Sequence, residues 1–212
     1  MELYVDGCMR SQVGEPDETL DQTLEPLRQE NSETDRVIVE LVCDGIDVIG
    51  DDLLTTLAGK ASQFERIDVR TSTPHALVAD ALHDALEAYD AASHEQAAVV
   101  ELFGQGKSAD AIRLLATCLD RWRQINDAIA KSISLLGAKV TALRERADML
   151  VRKLDPVKLH LSQIKDALVS KDFVALSDIL QYEFQSSSRC WQDVIKEILT
   201  YTDDPRADRS SP

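Results

Sequence analysis

The chain has 212 residues, of which 44% are hydrophobic and 29% are charged, and its formal net charge is −15. This composition is typical of a folded globular protein and excludes an intrinsically disordered chain. Residues 1–72 contain 17 acidic and 6 basic residues, and so acidic a segment repels phosphate backbones, which argues against nucleic-acid binding.

The sequence also gives an expectation for compartment and cofactors. No segment approaches the roughly 18 consecutive apolar residues of a membrane helix, and the N-terminus MELYVDGCMR lacks the layout of a signal peptide. We therefore expect a cytoplasmic protein that does not bind membranes. The four cysteines lie far apart without a C-x-x-C pair, which favours reduced, packed thiols over a zinc ribbon, a redox motif or a disulfide framework, and no cofactor is expected: Cys8, Cys43, Cys118 and Cys190.

The first strands and helix are predicted from turn signals and periodicity. Asp6-Gly7 between Leu3–Val5 and Met9–Val13 predicts a β-hairpin. Leucines at helical spacing then predict a helix, which Pro26 should kink or restart: Leu20, Leu24 and Leu27.

Three further strands and a short helix follow. The β-branched, alternating segment Arg36–Cys43 predicts a strand, and Asp44-Gly45 predicts a second hairpin that leads into Ile46–Val48. A short helix at Asp51–Leu57 and a strand at Arg66–Arg70 complete residues 1–72.

The order of these elements, strand, strand, helix, strand, strand, short helix, strand, resembles the ubiquitin-like β-grasp superfamily. The resemblance covers about a third of the chain and rests on element order and the two Asp-Gly turns. It implies a small domain that other proteins hold by its sheet face or edge. A covalent modifier would need a free Gly-Gly tail, whereas here IDVRTSTPH continues into a helix, so the resemblance implies a docking domain. Its acidity is interpreted as favouring solubility, with an acidic face for a basic partner protein as the alternative.

Residues 73–201 are predicted to form a helical bundle. Thr73-Pro74 is a favourable helix start, Asp155-Pro156 ends one helix and begins another, and Asp172 is a plausible N-cap. The predicted helices span about 74–103, 109–154, 156–170 and 173–201, and the polar tail 202–212 is predicted to be disordered. The predicted fold class is therefore α+β.

The predicted helix 109–154 has a coiled-coil-like seam, a stripe of positions that recur every three and four residues. Twelve of its thirteen positions are apolar and Gly137 is its only weak point. The seam consists of Ile112, Leu115, Leu119, Trp122, Asn126, Ile129, Ile133, Leu136, Val140, Leu143, Ala147, Leu150 and Leu154.

Asn126 is the one polar residue on the seam. A polar residue at such a position lowers stability but fixes register and oligomeric state. We therefore predict that the face formed by Trp122, Asn126, Ile129 and Ile133 packs against a second copy in a homodimer. Burial of this face within the monomer and contact with a different protein are the alternatives.

One helix stripe could present metal ligands, because His83, Glu87, Asp90 and His94 lie at i, i+4, i+7 and i+11. The opposite stripe is the apolar one, so these side chains are predicted to face solvent. A metal site would need further ligands from another helix.

Other polar residues are candidates for chemistry but have simpler explanations. Surface charge or local capping accounts for the acid–base candidates Asp172, Asp178, Tyr182, Glu183 and His160, and Ser186–Ser188 has no base within reach in the sequence. The only positive cluster is interpreted as solvated, with a contact to the acidic domain of a neighbour as the alternative: Lys139, Arg144, Arg146, Arg152 and Lys153.

The sequence thus predicts a non-catalytic adaptor, a protein–protein interaction protein with an acidic docking domain and a self-associating helical scaffold. A cytoplasmic chaperone for a secreted or assembled subunit is one alternative. A metal-binding or catalytic helical bundle that uses the stripe from His83 to His94 is an alternative of another class.

Overall fold

The computed structural model describes residues 1–12, 17–137 and 140–202. The fold is α+β, as predicted, with a small N-terminal sheet followed by a helical region. Contacts divide the chain into two units, Met1–Leu77 and Val78–Pro212. Of the predicted tail, Thr202 ends the last helix, and residues 203–212 lie outside the described residues.

The N-terminal unit contains a five-stranded sheet in the order β2-β1-β5-β3-β4. The first and last strands pair in parallel at its centre, and the other neighbours are antiparallel. The predicted element order is confirmed: β1 (Glu2–Val5), β2 (Cys8–Gln12), α1 (Leu20–Glu33), β3 (Val37–Cys43), β4 (Ile46–Asp47), α2 (Asp51–Ala58) and β5 (Arg66–Ser72).

Helix α1 and alternate residues of the strands share one apolar core. Thr19 caps α1 in a capping box with Gln22, an N-terminal signal that satisfies exposed backbone donors. The helix continues through Pro26 as one element, so the predicted restart there is wrong. The core is formed by Leu3, Val5, Leu20, Leu24, Leu27, Leu41, Cys43, Ile67 and Val69.

Asp6 connects the first hairpin turn to the last strand. It adopts a positive φ of 50° and accepts hydrogen bonds of 2.7 Å from both the backbone N–H and the hydroxyl of Thr71. The guanidinium of Arg36 also donates to it, at 3.0 Å. The Thr71 backbone N–H, followed by the Thr71 hydroxyl and Arg36, lowers the pKa of Asp6 below its ordinary value.

The helical region consists of α3 to α8 with one π-helical segment. Thr73 caps α3 and Asp172 caps α7 through hydrogen bonds to Ala76 N and Ala175 N, as predicted. The elements are α3 (Pro74–Gly104), α4 (Ser108–Gly137), α5 (Thr141–Lys153), α6 (Asp155–Ser170), α7 (Phe173–Asp178), the π segment (Ile179–Phe184) and α8 (Gln185–Thr202).

The predicted single helix over 109–154 is wrong, because the structure divides it into α4 and α5. Helix α4 ends at Gly137, and Val140 is extended (φ −101°, ψ 101°) before α5 begins. Helix α5 packs against both α4 and α8, which buries Leu143 and Leu150 within the chain. One straight helix would project the second half of its apolar stripe away from these neighbours, so packing favours the break.

Trp122 on α4 is at the centre of the helical core. Its ring makes edge-on contacts with Tyr89 of α3 (5.2 Å between centroids) and Phe184 of the π segment (5.6 Å). It also stacks on Trp191 of α8 at 4.7 Å with 18° between the ring planes. Such aromatic contacts add to the free energy gained from area burial, so this cluster connects α3, α4 and α8.

Candidate functional site

An apolar groove with a volume of about 630 Å³ opens on the helical unit. Its walls come from α4 and α6, and its floor includes the two stacked tryptophans. The volume lies in the range of ordinary ligand sites. The groove is lined by Leu119, Trp122, Arg123, Asn126, Lys158, Leu161, Ile164, Lys165, Leu168, Val169 and Trp191.

Helical periodicity explains why these residues line one groove. From α4 the wall takes Leu119, Arg123 and Asn126, which lie at i, i+4 and i+7. The α6 wall repeats a cation and a leucine at i, i+3, i+7 and i+10, and residues at such spacing share one stripe of a helix. These α6 residues are Lys158, Leu161, Lys165 and Leu168.

The floor of the groove is aromatic and nearly fully buried. Trp122 and Trp191 are each 1% exposed, and they are the only tryptophans of the chain. The indole N–H of Trp191 has no hydrogen-bond partner among the described residues. A buried indole N–H normally finds an acceptor, so the floor retains an unused donor.

The rim of the groove is cationic, although the chain as a whole is strongly acidic. Arg123 pairs with Asp120 at 3.1 Å and Lys158 pairs with Asp155 at 3.0 Å, both as exposed i, i+3 pairs. Lys165 is exposed and has no ion-pair partner among the described residues. Exposed i, i+3 pairs are weak, so the three cations remain available to an anionic partner.

The structure separates the four residues of the predicted self-association face. Trp122, Ile129 and Ile133 are buried inside the helical unit, so the seam is internal at these positions and cannot form a face there. Asn126 is half-buried and lines the groove. Asn126, the one polar residue of the seam, therefore lies where the seam is exposed to solvent in the groove.

The predicted metal stripe on α3 faces solvent. His83, Glu87, Asp90 and His94 are all exposed, and the ring Nδ1 of His94 is 2.7 Å from the carbonyl of Asp90. Among the described residues, no three His, Cys, Asp or Glu side chains come together as metal ligands. Within the described residues, no other helix supplies the further ligands that a metal site on this stripe would need.

A second group of polar residues is brought together although sequence spacing gave no sign of it. His160 Nδ1 lies 2.8 Å from Ser187 Oγ, and His160 Nε2 lies 3.5 Å from a carboxylate oxygen of Glu183. The prediction that the serines have no base within reach is therefore wrong for Ser187.

This arrangement does not activate Ser187 as a nucleophile. Its hydroxyl, which is buried, donates to the carbonyl of Phe184 at 3.1 Å. A hydroxyl has one proton, so while Ser187 donates to Phe184 it can only accept from His160, the reverse of what a general base requires. The contact instead attaches α6 to α8.

The other acid–base candidates, Asp178 and Tyr182, are exposed.

Part of the predicted basic cluster is paired within the helical unit. Arg146 and Lys153 of α5 contact the two carboxylate oxygens of Glu197 on α8, at 3.1 and 2.6 Å. Arg144 and Arg152 are exposed, and Lys139 lies outside the described residues. The cluster therefore contributes to α5–α8 packing rather than being wholly solvated.

The π segment is held by a side chain from α3. The amide of Gln96 donates to the carbonyl of Leu180 at 2.6 Å, and Gln96 is buried. A π-helical turn inserts an extra residue into a helix and occurs frequently near functional sites. Here Phe184 is its last residue and Trp191 follows on α8, so the π segment lies directly before the aromatic contacts with Trp122.

The N-terminal unit has an exposed apolar patch of its own. Ile46, Ile49 and Leu54 each have at least 72% of their surface exposed. Asp47, Asp51 and Asp52 lie beside them in sequence and are also exposed. We call these six residues the acidic patch.

These observations define a class: an α+β chain with a helical bundle whose core opens into an apolar groove with a cationic rim. A family model described as a domain of unknown function, DUF8042, matches residues 80–194, and the chain belongs to this family. The matched region contains the whole groove. Comparison with curated proteins and with solved structures finds no match.

The helices were also compared with the requirements for a membrane-spanning segment. Among the helices of residues 1–12, 17–137 and 140–202, none combines the length and apolar composition needed to cross a bilayer.

Sequence reasoning missed the α6 wall of the groove, although a signal was present. Lys158 and Lys165 are seven residues apart, and so are Leu161 and Leu168. This cation–leucine heptad is the kind of pattern that marks a helix-packing surface. The contact of His160 with Ser187 had no local signal, because the two residues come from separate helices.

Proposed function

We propose that this chain is a non-catalytic adaptor, with a docking surface on each of its two units. The groove is the observation that carries the proposal. Apolar side chains in a folded protein normally pack against others, and an open apolar surface of this kind usually marks a binding site. The matched family region includes the whole groove, which supports a role for the groove in the family.

The N-terminal unit is proposed to be the second docking surface. In this unit β1 pairs in parallel with β5 at the centre of the sheet, and α1 shares one core with the strands. Both features support the resemblance of the unit to the β-grasp superfamily. The acidic patch combines exposed apolar side chains with carboxylates. Such a surface suits a partner with basic residues around an apolar centre. A cytoplasmic location remains part of the proposal.

Self-association remains a prediction. With Trp122, Ile129 and Ile133 inside the monomer, the predicted face is reduced to Asn126 at the groove. A homodimer would therefore use other surfaces, such as the exposed Leu159 and Val174.

Site-specific photo-crosslinking in cells of the source organism tests the adaptor proposal. A photoreactive amino acid replaces Val169 in the groove, Leu54 in the acidic patch or, as a control, Met149 on α5; all three are exposed. We expect discrete protein adducts from positions 169 and 54 and none from position 149. Adducts identical at all three positions, or none at any, would contradict the proposal.

The same experiment separates the chaperone alternative and the homodimer from the adaptor. Adducts with one secreted or assembled subunit at both positions would favour the chaperone alternative. An adduct with twice the mass of the chain would indicate a homodimer.

A further inference from the structure

We propose that the groove binds an acidic amphipathic helix of a partner protein. This inference rests on the adaptor proposal and specifies the partner of the groove. It is carried by the spacing of apolar and charged side chains along the α6 wall, by the opposing α4 wall and by the sign of the charges on the rim.

The apolar spacing fits a helix lying alongside α6. Leu161 and Leu168 are seven residues apart on one wall, and Leu119 is on the other. From Lys158 to Val169 the wall extends over roughly 16 Å, at about 1.5 Å per residue, which is three turns of a docked helix. A helix with apolar residues in heptads would insert them between these leucines, as in other helix-in-groove complexes.

The charge spacing favours a helix over a ligand with one anionic head. Lys158 and Lys165 lie on the same stripe roughly 10 Å apart, and Arg123 is on the opposite wall. A fatty acid or a similar amphiphile would neutralise one cation and leave the others. A helix with carboxylates seven residues apart would meet both lysines at once, since residues i and i+7 share a face.

One polar residue within the groove would position such a helix. Asn126 is half-buried and lines the groove. A polar residue in a helix–helix interface favours the register in which it is satisfied. We therefore expect the partner helix to carry one polar side chain among its apolar positions.

The chain has a built-in reporter for this binding, because its only tryptophans both line the groove. The probes are two synthetic, tryptophan-free helical peptides of three heptads with leucine at the core positions. One has glutamate at the flanking positions and the other has lysine. Titration into the full chain is followed by tryptophan emission. We expect the acidic peptide to bind at least about tenfold more tightly than the basic one, since complementary charges select the partner.

Charge reversal on α6 tests whether the rim makes this choice. We expect the Lys158→Glu/Lys165→Glu variant to lose the preference for the acidic peptide or to reverse it. The matched control Lys107→Glu/Lys131→Glu changes two exposed lysines of the same unit that do not line the groove, and should keep the preference. All four positions are exposed, so folding should be unaffected, as circular dichroism would verify.

Three results would overturn the inference. These are equal affinity for both peptides, no change of tryptophan emission with either peptide, and loss of preference in the control variant. Binding of vesicles containing anionic lipid in place of either peptide would also overturn it and would identify a lipid surface. If the peptides fail while crosslinks persist at position 169, the adaptor proposal stands and only the acidic-helix inference fails.

Discussion

Trp122 on α4 and Trp191 on α8 stack with their ring centroids 4.7 Å apart, and both rings also line the open groove. The same pair therefore belongs to the core that stabilises the helical unit and to the surface proposed to bind a partner. A groove whose floor is a packed aromatic pair is held in shape before any ligand arrives, and preorganisation of this kind reduces the free-energy cost of binding.

Replacing Trp191 with alanine should destabilise the helical unit. The side chain is nearly fully buried and contacts both Trp122 and Phe184, and such truncations typically lower the free energy of unfolding by about 3–5 kcal/mol. Urea unfolding followed by circular dichroism measures the change. Tyr182→Ala, at a residue that is 66% exposed, is the control and should alter the free energy by less than about 0.5 kcal/mol. Similar losses in both variants would contradict the packing described for Trp191.

Asn126→Asp should leave the solution mass of the chain unchanged. The homodimer prediction requires this residue to fix the register of a seam between two chains, but Ile129 and Ile133 on that seam are buried within one chain. Light scattering at matched concentrations of the wild type and the variant measures the mass. A wild-type dimer that becomes a monomer in Asn126→Asp would restore the seam between chains and would contradict the internal packing.

Thiol reactivity should follow burial. Burial raises the pKa of the Cys118 thiol to about 12, with a further rise from the charge of Glu95, and burial raises that of Cys43 to about 11. Few thiolates then exist at pH 8, and the thiolate is the reactive form. We expect a disulfide reagent to label exposed Cys8 quickly, and Cys118 and Cys43 only after unfolding in urea. Cys118 on α4 is buried, and its Sγ donates to the carbonyl of Ala92 on α3 at 3.5 Å, so rapid labelling of Cys118 in the native protein would contradict this packing.

Acid should weaken the connection between the first turn and β5. The pKa of Asp6 is lowered in the fold, chiefly by the Thr71 backbone N–H, so the fold favours the ionised form. Its contribution is fully present above the ordinary value of 3.8 and is lost as the pH falls through the lower, folded value. Because Asp6 is partly exposed, we expect Asp6→Asn to lower local stability at pH 7 by only about 1 kcal/mol.

Hydrogen exchange of the Thr71 amide measures this effect as a function of pH. The difference in protection between Asp6→Asn and the wild type should be largest at neutral pH and should shrink below pH 3.8. Asp47→Asn, at an exposed position on β4, is the matched control and should not alter protection of Thr71. A difference between Asp6→Asn and the wild type that does not depend on pH would mean that ionisation of Asp6 has no part in this connection.

The N-terminal elements could be predicted because their signals are local. Asp6-Gly7 and Asp44-Gly45 both form turns with positive φ, and few residue pairs adopt that conformation readily. The predicted strand Arg66–Arg70 falls within β5 (Arg66–Ser72), and α2 begins at the predicted Asp51. Alternation and turn chemistry act over a few residues, so no knowledge of the rest of the chain was needed.

The limits of prediction lie where distant segments compete. Heptad spacing correctly identified Leu115, Leu143 and Leu150 as core residues but could not tell which helix would cover them. The bend after Gly137 does not require a glycine, since an added Cβ there would meet only ordinary contacts, the nearest at 3.8 Å from Arg144. The break follows from the packing of α5 on α4 and α8, a long-range gain that a periodic pattern does not contain.

The sequence by itself determined the fold class, the helix caps at Thr73 and Asp172, and which side chains are apolar enough to be buried. Tertiary structure alone decided where burial is incomplete. Asn126, Lys158 and Trp191 meet around one groove because three helices cross there, and the position of each depends on contacts made elsewhere in the bundle. Residue type and spacing decide whether burial of a side chain is favourable. The arrangement of the neighbouring helices decides whether enough side chains surround it to bury it completely.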